Sequence, residues 1–177
     1  MKKLSRLLAV LLVMVSMTVA TTAQAAATSV SASPKDFGKP VEVNTYEEDG
    51  KVVTEKIYFV PDTGSDGIMP LSKSGHGWYK NEKTYKWGSG TVMKYYAQGY
   101  FTWGDGKVSV RNASGGVTNV PKKVKVSNRK TTTSSGRYAW IFNRFVEVNF
   151  SFSTTTQIGM KDNYSVTIRV SQSGNTI

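Results

Sequence analysis

The stretch Lys94–Asn112, "KYYAQGYFTWGDGKVSVRN", decides the fold. One parity, begun at the preceding Met93, carries Met93, Tyr95, Ala97, Gly99, Phe101 and Trp103; the other carries Val92, Lys94, Tyr96, Gln98, Tyr100 and Thr102. A period of two marks a strand with one buried face, because successive side chains leave opposite sides of the backbone. The first set is therefore the predicted core face. Asp105-Gly106 predicts a two-residue hairpin turn, whose central positions both need positive φ. In that register Trp103 faces Val108, Phe101 faces Val110, Thr102 faces Ser109 and Tyr100 faces Arg111. A slip of one residue would put Trp103 and Phe101 in water, so the alternation selects the pairing.

The same period runs outward from this hairpin. Val124 and Val126 alternate with Lys123 and Lys125, and Val166, Ile168 and Val170 alternate with Ser165, Thr167 and Arg169. Between them, Tyr138, Trp140, Phe142, Val146, Val148, Phe150 and Phe152 share one parity, interrupted by Arg144. As one strand that run would extend about 50 Å, beyond ordinary strand length, so a bend, bulge or turn is expected at Asn143-Arg144. No window repeats apolar residues at helical spacing. Short strands separated by Gly, Asn and Ser turns predict an all-β chain, built as an antiparallel two-sheet sandwich or a small barrel.

Upstream, Val41–Tyr46 and Val52–Val60 are β-rich runs joined through Asp49-Gly50, a second hairpin signal. Pro61, Gly64, Gly67, Pro70, Gly75 and Gly77 then break regular structure. The expected organisation is a signal peptide over 1–25, an acidic lead-in and β-hairpin arm over 26–67, a linker over 68–77 and a basic β-sandwich domain over 78–177. The leader itself has Lys2, Lys3 and Arg6, an apolar run from Leu7 to Ala20, and Ala23-Gln24-Ala25. Basic head, short apolar middle and small-x-small end predict secretion with cleavage near Ala25. The apolar run is shorter than the about 20 residues needed to span a bilayer as a helix. Removing 25 of the 177 residues leaves 152, enough for one domain with a real core. With no cysteine, an exported chain relies on packing alone.

Charge divides the chain. Ala26–Gly67 holds four Lys against eight carboxylates, whereas Ile68–Ile177 holds sixteen Lys or Arg against four. An excess of that size favours polyanions through long-range attraction and counterion release. The expected partners are a cell-wall polymer, an acidic glycan or an anionic membrane surface, with nucleic acid as a further polyanion. A basic surface also keeps a protein soluble, and charge alone does not separate these roles.

Signals for chemistry are sparse. His76, the one histidine, sits between glycines in "SGHGW" with no acid-rich neighbourhood. Of the four carboxylates of the basic region, Glu82, Asp105, Glu147 and Asp162, three have plain explanations: Asp105 in its turn, Glu147 outward on its strand and Asp162 in a polar loop, which leaves no reason to pair two of them as a glycosidase requires. "DTGSDG" lacks the alternating oxygen ligands of a calcium loop. No cofactor, no metal and no catalysis are expected. Asn112, Asn149 and Asn163 open glycosylation sequons that matter only in a glycosylating host. The surface that invites a ligand is the outward parity of the opening stretch: Tyr96 and Tyr100, flanked by Lys94 and Arg111. Tyrosines spaced by a strand turn can stack on sugar rings or bases while the cations hold anionic groups. The alternative is that these tyrosines cover a neighbouring sheet or pair across strands.

"FVPDTGSDGIMP" at Phe59–Pro70 resembles the active-site turn of the pepsin and retropepsin families. Those enzymes use two carboxylates sharing one proton; here a single Asp-Thr-Gly would need a dimer to supply the pair. The order of leader, acidic hairpin, "GIMPL" linker and a Tyr/Trp-rich β region with "AQGYFTW" and "VSVRNASG" resembles uncharacterised small secreted β-rich proteins of Gram-positive bacteria. That resemblance implies no activity. As an exported, cysteine-poor and aromatic chain it is also similar to lactococcin-type two-sheet bacteriocins, although "GHGWYKNEKTYKW" lacks their double-glycine opening and histidine pattern; in an envelope-active protein Trp78, Tyr79, Tyr85 and Trp87 would be anchors at the target envelope.

Overall fold

The computed structural model describes residues 32–62, 74–86, 90, 92–138 and 143–177. The leader, most of the Asp-Thr-Gly turn, Trp87, Trp140 and Phe142 lie outside the described residues. Eight strands follow one another: β1 (Glu42–Glu48), β2 (Lys51–Pro61), β3 (Gly75–Lys86), β4 (Val92–Gly104), β5 (Lys107–Asn119), β6 (Val124–Arg137), β7 (Arg144–Thr156) and β8 (Lys161–Ser171). They form a five-stranded sheet in the order β1-β2-β3-β4-β5 and a three-stranded sheet in the order β6-β7-β8, with every neighbour antiparallel. Of the two architectures compatible with the alternation, the open two-sheet one is realised; the sheets do not close into a barrel.

Both Asp-Gly turns form. Asp49 and Gly50 have φ of 52° and 69°, Asp105 and Gly106 of 51° and 68°. The second sets the expected register, with Trp103 opposite Val108, Phe101 opposite Val110, Thr102 opposite Ser109 and Tyr100 opposite Arg111. The first builds the acidic hairpin, whose β2 strand continues the large sheet by pairing with β3 from Val52↔Lys86 to Pro61↔Gly77. The long aromatic run divides where a break was expected: β6 ends at Arg137, β7 begins at Arg144, and the Tyr138 N–H donates to the Asn143 carbonyl at 3.2 Å.

The core lies between the sheets. Met93, Tyr95, Phe101 and Trp103 of β4 meet Val148, Phe150 and Phe152 of β7 and Val166, Ile168 and Val170 of β8 in one cluster. Val53 and Phe59 of the acidic hairpin belong to the same cluster, with the Phe59 ring 4.6 Å from that of Tyr79. Burying large aromatics in offset and edge-to-face pairs contributes area and directional contacts together. Trp78, Tyr79 and Tyr85 are all buried, which corrects the expectation that they are envelope anchors: Tyr79 and Tyr85 point into the core, and Trp78 packs edge-on against Tyr100.

Three register shifts interrupt the ladders, two between β4 and β5 and one between β6 and β7, and two of them carry a left-handed asparagine. Asn112, at φ 50°, is an extra residue of β5, so Val108 and Val110 point inward before it while Ala113 and Val117 do so after it. Asn128, at φ 52°, does the same to β6. Asn tolerates this left-handed conformation better than most residues, which is why both bulges carry it.

Candidate binding surfaces

Lys94, Tyr96, Tyr100 and Arg111 lie on the outer face of the five-stranded sheet, as their parity implies, but their surroundings differ. Lys94 and Arg111 are exposed. Tyr96 is half-buried beneath Lys80, whose Nζ stands 5.0 Å from its ring centre, 5.3 Å from that of Tyr58 and 5.5 Å from that of Phe37. This ammonium also pairs with Glu82 at 2.9 Å. Tyr100 is only 6% exposed, and its hydroxyl donates to Asp62 Oδ2 at 2.7 Å. Burial, reinforced by that hydrogen bond, pushes the Tyr100 phenol up to about 12.

The segment before β1 crosses this face. Gln98 Nε2 donates to Ser33 Oγ at 2.9 Å, and Phe37 meets Tyr58 edge-on at 6.2 Å. The four residues thus share a face without forming one open aromatic platform: one tyrosine lies under a lysine and the other turns toward Asp62. His76 joins this group, with Nε2 3.8 Å from Asp62 Oδ2 and its ring 6.0 Å from that of Tyr100. Sequence spacing gave no sign that Asp62, His76 and Tyr100 meet, because they come from the residue just after β2, the start of β3 and the second half of β4.

The remaining carboxylates of the basic region are occupied or local. Glu147 accepts from Arg169 at 2.7 Å and from Ser134 Oγ at 2.7 Å, which together hold it below its ordinary value. Tyr164 donates to Asp162 at 3.4 Å, and Asp105 sits in its turn. Among the described residues no three His, Cys, Asp or Glu side chains gather as a metal site.

A different surface concentrates charge. From Lys107 to Arg144 the chain carries nine cations, Lys107, Arg111, Lys122, Lys123, Lys125, Arg129, Lys130, Arg137 and Arg144, and no carboxylate. All nine are exposed. They fall on β5, on β6, on the connection between them and on the first residue of β7. β5 and β6 are edge strands of different sheets and pack against each other, so the run becomes one flank of the sandwich. At its far end Arg137 and Arg144 stand directly opposite across the β6–β7 ladder. They line a recess of about 350 Å³ with Val108, Ser135 and Phe145. Like charges in directly opposed positions destabilise a sheet unless something neutralises them.

Comparison with protein-family models, with curated proteins and with solved structures returns no match.

Proposed function

We propose that this is a non-catalytic binding protein, exported from the cell, that engages an anionic polymer or acidic glycan through the β5–β6 flank. The observation that carries this reading is the run of nine exposed cations without an intervening carboxylate. Within that run Arg137 and Arg144 stand as a directly opposed pair. Two guanidinium groups present forked donors suited to phosphate, sulfate or carboxylate oxygens, and an anion between them relieves their repulsion. Arg111, on the outer face of β5, extends the same flank; Lys94 lies one strand further in and adds to the long-range field.

The test is retention on immobilised teichoic acid, acidic glycan and nucleic acid as salt is raised. Binding should weaken steeply with salt, because each neutralised anionic group releases a condensed counterion. Arg137→Ala with Arg144→Ala should weaken it most, and Lys94→Ala least. Retention that is indifferent to salt, or unchanged in the double arginine variant, removes this reading.

A further inference from the structure

At the other end of the sandwich the β7–β8 turn presents two large apolar side chains to solvent. Ile158 is 82% exposed and Met160 60%. The turn is internally secured: the Thr156 N–H donates to the Met160 carbonyl at 2.9 Å, the Gly159 N–H to the Thr156 carbonyl at 3.0 Å, and the Met160 N–H to Thr156 Oγ1 at 3.2 Å. Gly159, at φ 83°, sits between the two apolar residues. Nothing in these hydrogen bonds requires Ile158 or Met160 to be apolar.

Both side chains line a cleft of about 830 Å³ that runs back between the sheets to Met93, Val124 and Tyr164. Lys51, Lys122 and Lys123 line the same cleft, Asp162 being the single carboxylate among its lining residues. Isolated apolar residues on a surface are ordinary, but an apolar tip continuous with an apolar cleft and bordered by lysines is not. The combination matches the two components of a charged bilayer interface, where apolar side chains enter below the headgroups and ammonium groups meet lipid phosphates.

We propose that this end of the sandwich docks onto an anionic lipid surface, with Ile158 and Met160 entering the headgroup region and Lys51, Lys122 and Lys123 contacting lipid phosphates. The occupant is an anionic bilayer rather than a soluble polymer because a polymer would use the lysines and leave the apolar tip in water. The tip and the Arg137–Arg144 recess lie at opposite ends of β7, on the order of 40 Å apart. The two sites share Lys122 and Lys123, so the apolar tip at Ile158 and Met160, which the polymer flank does not use, is what the test must separate.

The test uses sedimentation with vesicles of mixed phosphatidylcholine and phosphatidylglycerol, against vesicles of phosphatidylcholine alone. The protein should sediment with the mixed vesicles only. Ile158→Asp with Met160→Asp should weaken that binding roughly tenfold or more, since two apolar side chains lose their burial. The same variant should keep its retention on teichoic acid. The chain has no cysteine, so Ile158→Cys accepts a single environment-sensitive probe, whose emission should shift to the blue on mixed vesicles. Absence of vesicle binding overturns the proposal. So does binding that survives the double aspartate variant, or binding without a blue shift, either of which assigns the contact to the cationic flank.

Discussion

Gly115 of β5 lies directly against the ring of Phe150 in β7: a methyl group at its Cα would stand 2.4 Å from Phe150 Cβ and Cγ. The large and small sheets are in close contact here, and the missing side chain is what permits it. Gly115→Ala has no room without displacing a core phenylalanine that is itself 2% exposed. Overpacking of this kind costs about 1 to 3 kcal/mol. Thermal denaturation should show a clearly lowered Tm for Gly115→Ala and little change for Ser114→Ala beside it.

The C-terminal turn closes the core at the other side. Gly174 has φ of 81°, its carbonyl accepts the Tyr79 hydroxyl at 2.5 Å, and a Cβ there would meet Trp103 at 2.4 Å. Gly174→Ala therefore combines backbone strain with a clash. We expect a loss of roughly 1 to 3 kcal/mol in urea unfolding. Tyr79→Phe, which keeps the ring and removes one hydrogen bond, should cost about 1 kcal/mol.

Two sets of groups link stability to pH in opposite directions. Glu147 is held below its ordinary value of 4.5, first by the Ser134 hydroxyl and then by Arg169. Its contribution is complete above the unfolded value and disappears as pH falls through the lower folded one. Tyr100 and Tyr164 are both pushed up to about 12, chiefly by burial. They favour the fold fully below the unfolded tyrosine value of about 10, and that share is lost as pH rises toward 12. Glu147→Gln should flatten the acid limb of a Tm-against-pH curve while leaving the alkaline limb in place.

The Tyr100–Asp62 hydrogen bond gives a sharper alkaline test. Asp62→Asn removes a negative acceptor that opposes ionisation of the phenol, so one tyrosine should titrate earlier in tyrosinate absorbance. An unchanged titration curve would mean that Asp62 does not hold Tyr100.

Much of this architecture is legible locally. The Asp105-Gly106 turn and the alternation of Phe101 and Trp103 specify the β4–β5 register because a single slip exposes both rings. The bulges at Asn112 and Asn128 are not legible: "VRNAS" and "VSNRK" put a polar residue on the inward parity, which reads equally as a strand end, and only a partner strand defines the extra residue. Tyr100 shows a different limit. Its parity is outward, yet Asp62, His76 and Trp78 from other strands gather around it, and strand periodicity carries no trace of them. The basic character of the C-terminal region is plain from composition. Its concentration on one flank follows from β5 and β6 being edges of separate sheets, a property of topology.

The most direct measurement of the central claim is amide chemical-shift mapping of the protein during titration with a soluble anionic polymer. The largest shifts should fall on β5, β6 and the start of β7, peaking at Arg137 and Arg144, and should diminish at high salt. Shifts centred instead on β2 and β3, or no shifts at any polymer concentration, would contradict a polyanion-binding flank.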